Sequence, residues 1–265
     1  MVRGVAGVAI AGLLAAGCAR KRDAAPEDLD GLSHYLFENW EDEELVLEGM
    51  SNLAPWLLEE GAGPEAWDGY VLTDLRAEEV DDVDYPANIN LSDHIGVAVS
   101  GESAHPVLDH AGLLVLTDQT WNEPDTYTRY VRTVAGDSEA FAAGTGLIRT
   151  VNDIEKGGAF GVSIPYELNK DYRWVHLDDG TSAVLGRSWV SEMGCSDNGK
   201  NCVVQSFSID LFYGRDDRHT VRLMSGWNEV KTEVDGLVGE DLLIAMMVSG
   251  NQEIYEATED KLDTD

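Results

Sequence analysis

The sequence predicts an α+β fold: N-terminal helices, then an antiparallel, curved β-meander, then an amphipathic C-terminal helix. Three observations predict this order. Apolar residues recur at helical spacing from Glu41, short apolar runs separated by turn residues follow beyond Gly69, and helical spacing returns from Glu240 to Leu262. The hydrophobic content of 43% is enough for a substantial core.

The N-terminal helical pattern is carried by four apolar residues at about 3.6-residue spacing: Val46, Met50, Leu53 and Leu57. Pro55 is expected to break or kink this helix, because proline lacks a backbone N–H and its ring crowds the preceding turn. Gly61 is expected to end it.

The meander is clearest in the last hundred residues. The turn "DDGT", Asp178 to Thr181, separates two strand-like runs and predicts a hairpin. In "VVQSFSIDLFYG" the apolar Phe207, Ile209 and Leu211 alternate with polar residues that include Asp210, which predicts a sheet with one buried face. The aromatic residues of these strands are interpreted as core packing, with a lined apolar pocket as the alternative.

The C-terminal segment carries an apolar stripe at helical spacing, made of Leu243, Met247, Gly250, Ile254 and Ala257. A meander followed by a long terminal helix resembles the START-like helix-grip fold over residues 125–265. The resemblance implies a sheet that curls around the helix, with Met247 and Ile254 facing the core, and an apolar cavity for a small molecule. A lipocalin-like barrel and a β-sandwich are the alternative folds.

The first residues have the parts of an export signal. Arg3 precedes an apolar run that is too short to span a bilayer, and small residues lead to a cysteine. "LAAGC", Leu14 to Cys18, resembles the lipobox of bacterial lipoproteins, which implies cleavage after Gly17 and lipid attachment at Cys18. The chain is therefore divided into a signal peptide (1–17), a lipidated cysteine and tether (18–29) and one globular domain (30–265).

The same resemblance implies a cell-envelope location, anchored to a membrane through the covalent lipid. Ala19 follows the cysteine in place of an aspartate, which favours the outer membrane, facing the periplasm or the cell surface. The chain has 50 acidic and 18 basic residues, a net charge of −32. Such acidity repels nucleic acid and excludes a nucleic-acid partner. The acidic run 78–84 lacks calcium-loop spacing and is interpreted as a solvated loop.

The remaining cysteines, Cys195 and Cys202, flank a polar loop between strand-like sequences. In an exported protein, two nearby cysteines most simply form a disulfide. A zinc site is the weaker alternative, because it needs ligands from elsewhere in the chain.

Catalytic motifs for nucleophilic serine, phosphate binding or zinc proteases do not occur in the sequence, and it predicts no cofactor. Three histidines, His94, His105 and His110, lie within seventeen residues, two of them next to an aspartate. Imidazoles beside carboxylates can form metal sites, although loop histidines with local hydrogen bonds are the simpler interpretation. Two hypotheses follow. The favoured one is a non-enzymatic binding or assembly module with an apolar ligand or an envelope protein partner. The alternative is a metal-dependent periplasmic hydrolase that uses these histidines.

Overall fold

The structure is a computed structural model that describes residues 24–123, 126–157, 163–233 and 239–264. The first half contains the helices α1 (Leu29–Glu38), α2 (Glu43–Glu59), α3 (Pro64–Asp68), α4 (Val107–Leu114) and α5 (Ser138–Ala142), and the strands β1 (Tyr70–Leu72), β2 (Ile95–Ser103) and β3 (Tyr127–Gly136). The second half contains β4 (Leu147–Gly157), β5 (Ser163–His176), β6 (Ser182–Trp189), β7 (Gly194–Cys195), β8 (Cys202–Gly214), β9 (Thr220–Lys231) and α6 (Glu240–Leu262). Short 3₁₀ turns lie at Ala77–Glu79, Leu91–Asp93 and Thr120–Asn122.

The described strands form one antiparallel sheet in the order β1-β2-β9-β8-β6-β5-β4-β3, with β7 paired to β8 off this path. Its outermost strands, β1 and β3, do not pair with each other, so the sheet is curved but unclosed, and neither a barrel nor a sandwich is formed. With α6 as the last element, this is the α+β arrangement of a START-like helix-grip fold, as the sequence predicts.

The N-terminal helices begin where aspartates cap them. The Asp28 carboxylate accepts a hydrogen bond from Gly31 N–H (2.8 Å), and the Asp42 carboxylate accepts from the first turn of α2. Of the break or kink expected at Pro55, the break is wrong, because α2 continues through Pro55 to Glu59. The carbonyl left without a helical donor is that of Ser51, on an exposed residue where water can satisfy it.

Both faces of the sheet are buried, which corrects the prediction of a single buried face. Helices α1 and α2 cover one face with the largest apolar cluster, in which Phe37 packs edge-on against Phe207 (5.9 Å) and Trp227 (6.4 Å). On the other face, α4 and α5 cover a second cluster that includes Phe141, Tyr172 and Phe212. The two-sided burial explains why β9 is buried from Thr220 to Trp227 without alternation.

Helix α6 lies along β2 on the face that α4 also covers. Its most buried residues are Tyr255 and Thr258, and the Tyr255 ring packs edge-on against Trp67 at 5.1 Å. The predicted stripe, which includes Met247 and Ile254, is only half-buried, and Leu242 and Met246 are 55% and 60% exposed. The bounds of α6 agree with the sequence pattern, but its most buried residues, Tyr255 and Thr258, lie beside the predicted stripe and not in it.

The predicted disulfide is present. Cys195 and Cys202 are bonded, with their Cα atoms 4.1 Å apart, and they pair directly between β7 and β8. Residues 1–23 lie outside the described residues, so the signal peptide, the lipid attachment at Cys18 and most of the tether stay predictions. Within the part of the chain that is described, no helix combines the length and the apolar character needed to cross a membrane.

We expect Tyr255→Ala to lower the free energy of unfolding by about 3 kcal/mol, since it removes a buried ring from the contact between α6 and the sheet. Met246→Ala, on the exposed side of the same helix, should change it by less than about 0.5 kcal/mol. Denaturant midpoints of the two variants measure the difference. Equal midpoints would contradict the packing of α6 on β2.

Candidate functional site

The three histidines singled out in the sequence take three separate sets of partners. His94 Nε2 accepts a hydrogen bond from Leu75 N–H (3.1 Å), while His105 Nε2 lies 3.2 Å from the carboxylate of Asp263. His110 is buried under β2 with its Nε2 3.0 Å from Ser103 Oγ. Among the described residues, no group of three histidine, cysteine or acidic side chains is arranged to hold a metal ion. The hypothesis of a metal site at these histidines therefore finds no geometric support.

A cavity of about 60 Å³ lies between the sheet and α6. Its floor comes from side chains of β3, β5, β8 and β9 that point to the same face, and its remaining walls come from α4, the 3₁₀ turn Thr120–Asn122 and α6. The lining residues are His110, Leu113, Leu114, Gln119, Trp121, Asn122, Tyr127, Tyr130, Arg132, Leu168, Lys170, Tyr172, Asp210, Phe212, Arg222, Ile254 and Thr258. The wall is therefore apolar in part, but it also holds one aspartate, one lysine and two arginines.

The loop that carries the 3₁₀ turn is fixed to the edge of β3. Gln119 N–H donates to the carbonyl of Tyr130 (2.9 Å), and Arg132 N–H donates to the carbonyl of Thr117 (2.7 Å). The Gln119 side chain also donates to the carbonyls of Leu113 (2.9 Å) and Leu116 (2.8 Å) at the end of α4. These bonds hold Trp121 and Asn122 over the cavity, and they cover part of an edge strand that otherwise exposes unpaired backbone groups.

Arg132 is 3% exposed and projects from β3 into the cavity wall. Its Nε donates to Asn152 Oδ1 (2.7 Å) and its Nη1 to the carbonyl of Leu114 (2.5 Å). Its guanidinium carbon also lies 5.5 Å from the centre of the Tyr172 ring. All of these acceptors are uncharged, and within the described ranges no carboxylate lies within 4.0 Å of the Arg132 guanidinium.

Lys170 projects from β5 on the same face. Burial acts to lower the pKa of Lys170, but the oxygens of Tyr130, Tyr172 and Asp210 outweigh it and raise that pKa. Burial acts to raise the pKa of Tyr130, whereas the charges of Lys170 and Arg132 lower it. The site therefore favours a charged ammonium on Lys170, which can bind an anion but is a poor amine nucleophile.

Asp210 and Arg222 form the one ion pair within the described cavity lining. Arg222 Nε and Nη2 donate to the two Asp210 carboxylate oxygens at 3.1 and 3.0 Å. Arg222 Nη1 donates to Thr258 Oγ1 on α6 (2.9 Å), and the guanidinium carbon lies 4.8 Å from the centre of the Phe212 ring. The Arg222 guanidinium therefore joins α6 to the sheet at the cavity wall.

Two further nitrogens of the lining are buried without a hydrogen-bond partner among the described residues, His110 Nδ1 and Trp121 Nε1. Burial lowers the pKa of His110 to about 3, and the charge of Arg222 adds to the effect, so the ring is neutral. A buried polar atom without a partner costs free energy, which a bound water or ligand would recover.

A second charged cluster lies on the opposite face, between α1 and the 3₁₀ turn Ala77–Glu79. The His34 Nε2 lies 3.2 Å from Thr73 Oγ1, and its Nδ1 lies 2.8 Å from Glu79 Oε2, an order that resembles a nucleophile, a base and its orienting acid. However, the Thr73 hydroxyl donates to Asp30 Oδ2 (2.7 Å), and Asp30 Oδ1 also accepts from Thr73 N–H (2.8 Å). The cluster therefore joins α1 to the segment that follows β1.

The charges in this cluster support that structural role. Burial opposes the charge on His34, but the hydrogen bond and attraction of Glu79 outweigh it and raise the pKa of His34. Burial acts to raise the pKa of Glu79, whereas hydrogen bonds from His34 and Arg76 lower it to about 2. The raised pKa favours the protonated form of His34, which cannot accept a proton. Glu79, 1% exposed, also corrects the interpretation of run 78–84 as a solvated loop.

The fold and the site together define a helix-grip protein with a polar cavity between its sheet and its last helix. No protein-family model matches the sequence, and no curated protein matches it. Among solved structures, the chain is similar to a STAR-related lipid transfer protein from Xanthomonas axonopodis, with a TM-score of 0.44 and 10% identity over 66% of this chain and 90% of that chain. A protein from Thermus thermophilus has a TM-score of 0.42 and 14% identity over 64% of this chain and 97% of that one.

The Zhui aromatase/cyclase from Streptomyces is also similar, with a TM-score of 0.36 and 11% identity over 63% of this chain and 90% of that chain. These neighbours carry the names of a transfer protein and of a cyclase, so they do not decide between binding and catalysis. The function has to be argued from the cavity of this chain.

The stability of the protein should depend on pH through His34 and Glu79. Because the pKa of His34 is raised in the folded state, His34 stabilises the fold at pH values below 6.5, the ordinary pKa of histidine. This contribution is lost as the pH rises through the pKa of His34 in the folded state. Because the pKa of Glu79 is lowered in the folded state, Glu79 stabilises the fold at pH values above 4.5, the ordinary pKa of glutamate. This contribution is lost as the pH falls toward 2. The stability contributed by the pair is therefore greatest between about pH 4.5 and 6.5.

The measurement compares denaturant midpoints of the wild type and Glu79→Gln across this range. The variant should be less stable by about 3 kcal/mol near pH 5.5, and the difference should shrink toward pH 2. A difference that does not vary with pH would contradict the assignment.

Proposed function

We propose that this protein is a lipid-anchored, non-enzymatic binding module of the bacterial cell envelope, which holds a small molecule between α6 and the sheet. The observation that carries the proposal is the cavity of about 60 Å³, whose lining includes the buried His110 and Trp121 nitrogens that lack partners among the described residues. A bound group with polar atoms would satisfy them, and the apolar side of the wall would hold its carbon skeleton.

The size of the cavity defines what part of a ligand fits without movement. About 60 Å³ has room for about four water molecules or one small functional group. A longer ligand therefore needs space between α6 and the sheet. The later turns of α6 are held by Tyr255 on Trp67, by Gln252 on the Trp67 carbonyl (2.8 Å) and by Thr258 on Arg222 (2.9 Å), while its first turns expose Leu242 and Met246. We therefore expect the first turns of α6 to be the part that moves when a longer ligand enters.

The chemistry of the lining supports binding over catalysis. The charged ammonium of Lys170 is not the free amine that covalent catalysis requires. The neutral His110, with a pKa of about 3, is a poor general base at neutral pH. The lining offers donors at fixed positions, which is what recognition of a ligand needs.

The anchor and the location are the second part of the proposal. They rest on the lipobox-like "LAAGC" and on the Cys195–Cys202 disulfide, since disulfides form in oxidising compartments outside the cytoplasm. A lipid on Cys18 would place the domain at a membrane surface, where apolar and amphipathic molecules concentrate. An envelope protein partner that delivers or receives the ligand fits the same location. The alternative of a metal-dependent hydrolase has no observation in its favour at His94, His105 and His110.

We expect Cys18→Ser to release the protein from the lipid-anchored state, because serine cannot form the thioether. The wild type and the variant are expressed as the full chain. Incorporation of labelled palmitate and the amount of protein in the membrane fraction are measured for both. Label should be absent from the variant, which should remain as an uncleaved precursor. Equal labelling of the two proteins would contradict the anchor.

We expect full-length protein to bind hexan-1-ol or hexanoate in the cavity. Ligand-induced stabilisation, followed as a shift of the unfolding midpoint with concentration, measures the affinity. Ile254→Trp fills the cavity from α6 and should abolish the shift for both probes, while Met246→Trp, on the exposed side of the same helix, should retain it. A wild type that binds neither probe, or an Ile254→Trp variant that binds both as the wild type does, would refute the proposed site.

A further inference from the structure

We propose that the cavity recognises a carboxylate, held by Lys170 and Arg132 with the hydroxyl of Tyr130. This inference rests on the proposed function, because it names the chemical class of the ligand that the same cavity would bind.

The charge balance of the cavity is the first observation. Its described lining holds three cations, Arg132, Lys170 and Arg222, and a single carboxylate, Asp210. Asp210 is engaged with Arg222 through both of its oxygens, at 3.1 and 3.0 Å. Buried charges are normally paired. Arg132 is buried and Lys170 is half-buried, and neither forms an ion pair with a carboxylate within 4.0 Å in the described part of the chain, although the chain has a net charge of −32. Among the described residues, the cavity therefore offers Arg132 and Lys170 no carboxylate partner.

The position of the two cations is the second observation. Arg132 on β3 pairs with Asn152 on β4, which pairs with Leu168 on β5, and Lys170 is the next residue of β5 on that face. Asn152 uses its oxygen for Arg132 and its nitrogen for the Leu168 carbonyl (2.8 Å), so it is fully occupied. The cations thus lie on one face, separated by a single strand, and an anion between them would contact both.

The size and the walls of the cavity select among anions. A space of about 60 Å³ holds a planar carboxylate but leaves little room for a bulkier group. Tyr130 lies next to both cations and can donate its hydroxyl hydrogen to a carboxylate oxygen. Leu113, Leu114 and Ile254 line the same cavity and would contact the carbon atoms attached to the carboxylate. The geometry matches the carboxyl end of an organic acid.

The test compares two probes that differ only at the head, hexanoate and hexan-1-ol, on the full-length protein. The wild type should bind hexanoate at least tenfold more tightly. Lys170→Gln should lower the ratio of the hexanoate affinity to the hexan-1-ol affinity at least tenfold, since a hydrogen bond to a charged group contributes at least that factor. Lys200→Gln removes the same charge from an exposed lysine, 63% exposed beside Glu233, and should leave the ratio unchanged.

Asp210→Asn gives a result of opposite sign. It removes the carboxylate that competes for Arg222, so the ratio of hexanoate to hexan-1-ol affinity should rise severalfold. A ratio that falls or stays the same would contradict an anion bound near Arg222, and a variant that only loosens the fold would weaken both probes together.

Further probes identify the source of the carboxylate. If acetate alone saturates the site and Lys170→Gln weakens its binding in the same way, the ligand would be a small free acid. If hexanoate binds but acetate does not, the ligand would be an organic acid with a carbon chain. Tighter binding of inorganic phosphate than of hexanoate would overturn the carboxylate assignment. If hexanoate and hexan-1-ol bind with equal affinity, both to the wild type and to Lys170→Gln, the carboxylate assignment would be overturned. The proposed function would still stand. Failure of both probes to bind refutes the proposed function itself.

Discussion

The bidentate pair between Arg222 and Asp210 is the interaction on which the arrangement around the cavity depends. It lies inside one face of the sheet, and the third donor of the same guanidinium reaches Thr258 on α6. A buried ion pair contributes little net stability compared with apolar packing, but losing one partner leaves a buried charge that is costly. The pair therefore holds the Arg222 guanidinium where it reaches Thr258, and so it helps to join α6 to the sheet beside the cavity.

The order of the elements could be predicted from the sequence because each depends on local periodicity. The pattern from Glu240 to Leu262 gave the bounds of α6, and the turn at Asp178–Thr181 gave the β5–β6 hairpin, closed by a Leu177 N–H to Thr181 O bond of 2.9 Å. Burial on both faces could not be predicted, since it depends on α1 and α2 packing across distant strands. The predicted stripe of α6 includes Ile254, which lines the cavity, but it omits Tyr255, because the ring partner of Tyr255 is Trp67, nearly two hundred residues away.

The START-like resemblance implies an apolar cavity, but the charged part of its lining was not predicted, because these side chains come from strands far apart in sequence. One signal was available. Asp210 and Arg222 lie on either side of the turn that joins β8 to β9, and the hairpin register pairs Phe212 with Arg222. A carboxylate and a guanidinium on the same face of neighbouring strands are within reach of each other. Arg132 gave a weaker signal, since it shares the face of Tyr130 in an alternating strand. Lys170 gave no such signal in the sequence, because only the pairing of β3, β4 and β5 brings it near Arg132.

The contrast between an acidic chain and a cationic cavity bears on how a ligand would be recognised. A net charge of −32 repels an approaching carboxylate over the Debye length, which is about 8 Å at physiological ionic strength. Arg132 and Lys170 act at much shorter range and in a lower dielectric, where an ion pair is far stronger. Salt therefore weakens the repulsion during approach more than it weakens the buried contact. Because the repulsion disfavours free anions in general, an acid that enters needs apolar contact with the cavity wall as well, and this double requirement is how the site would select an amphipathic ligand.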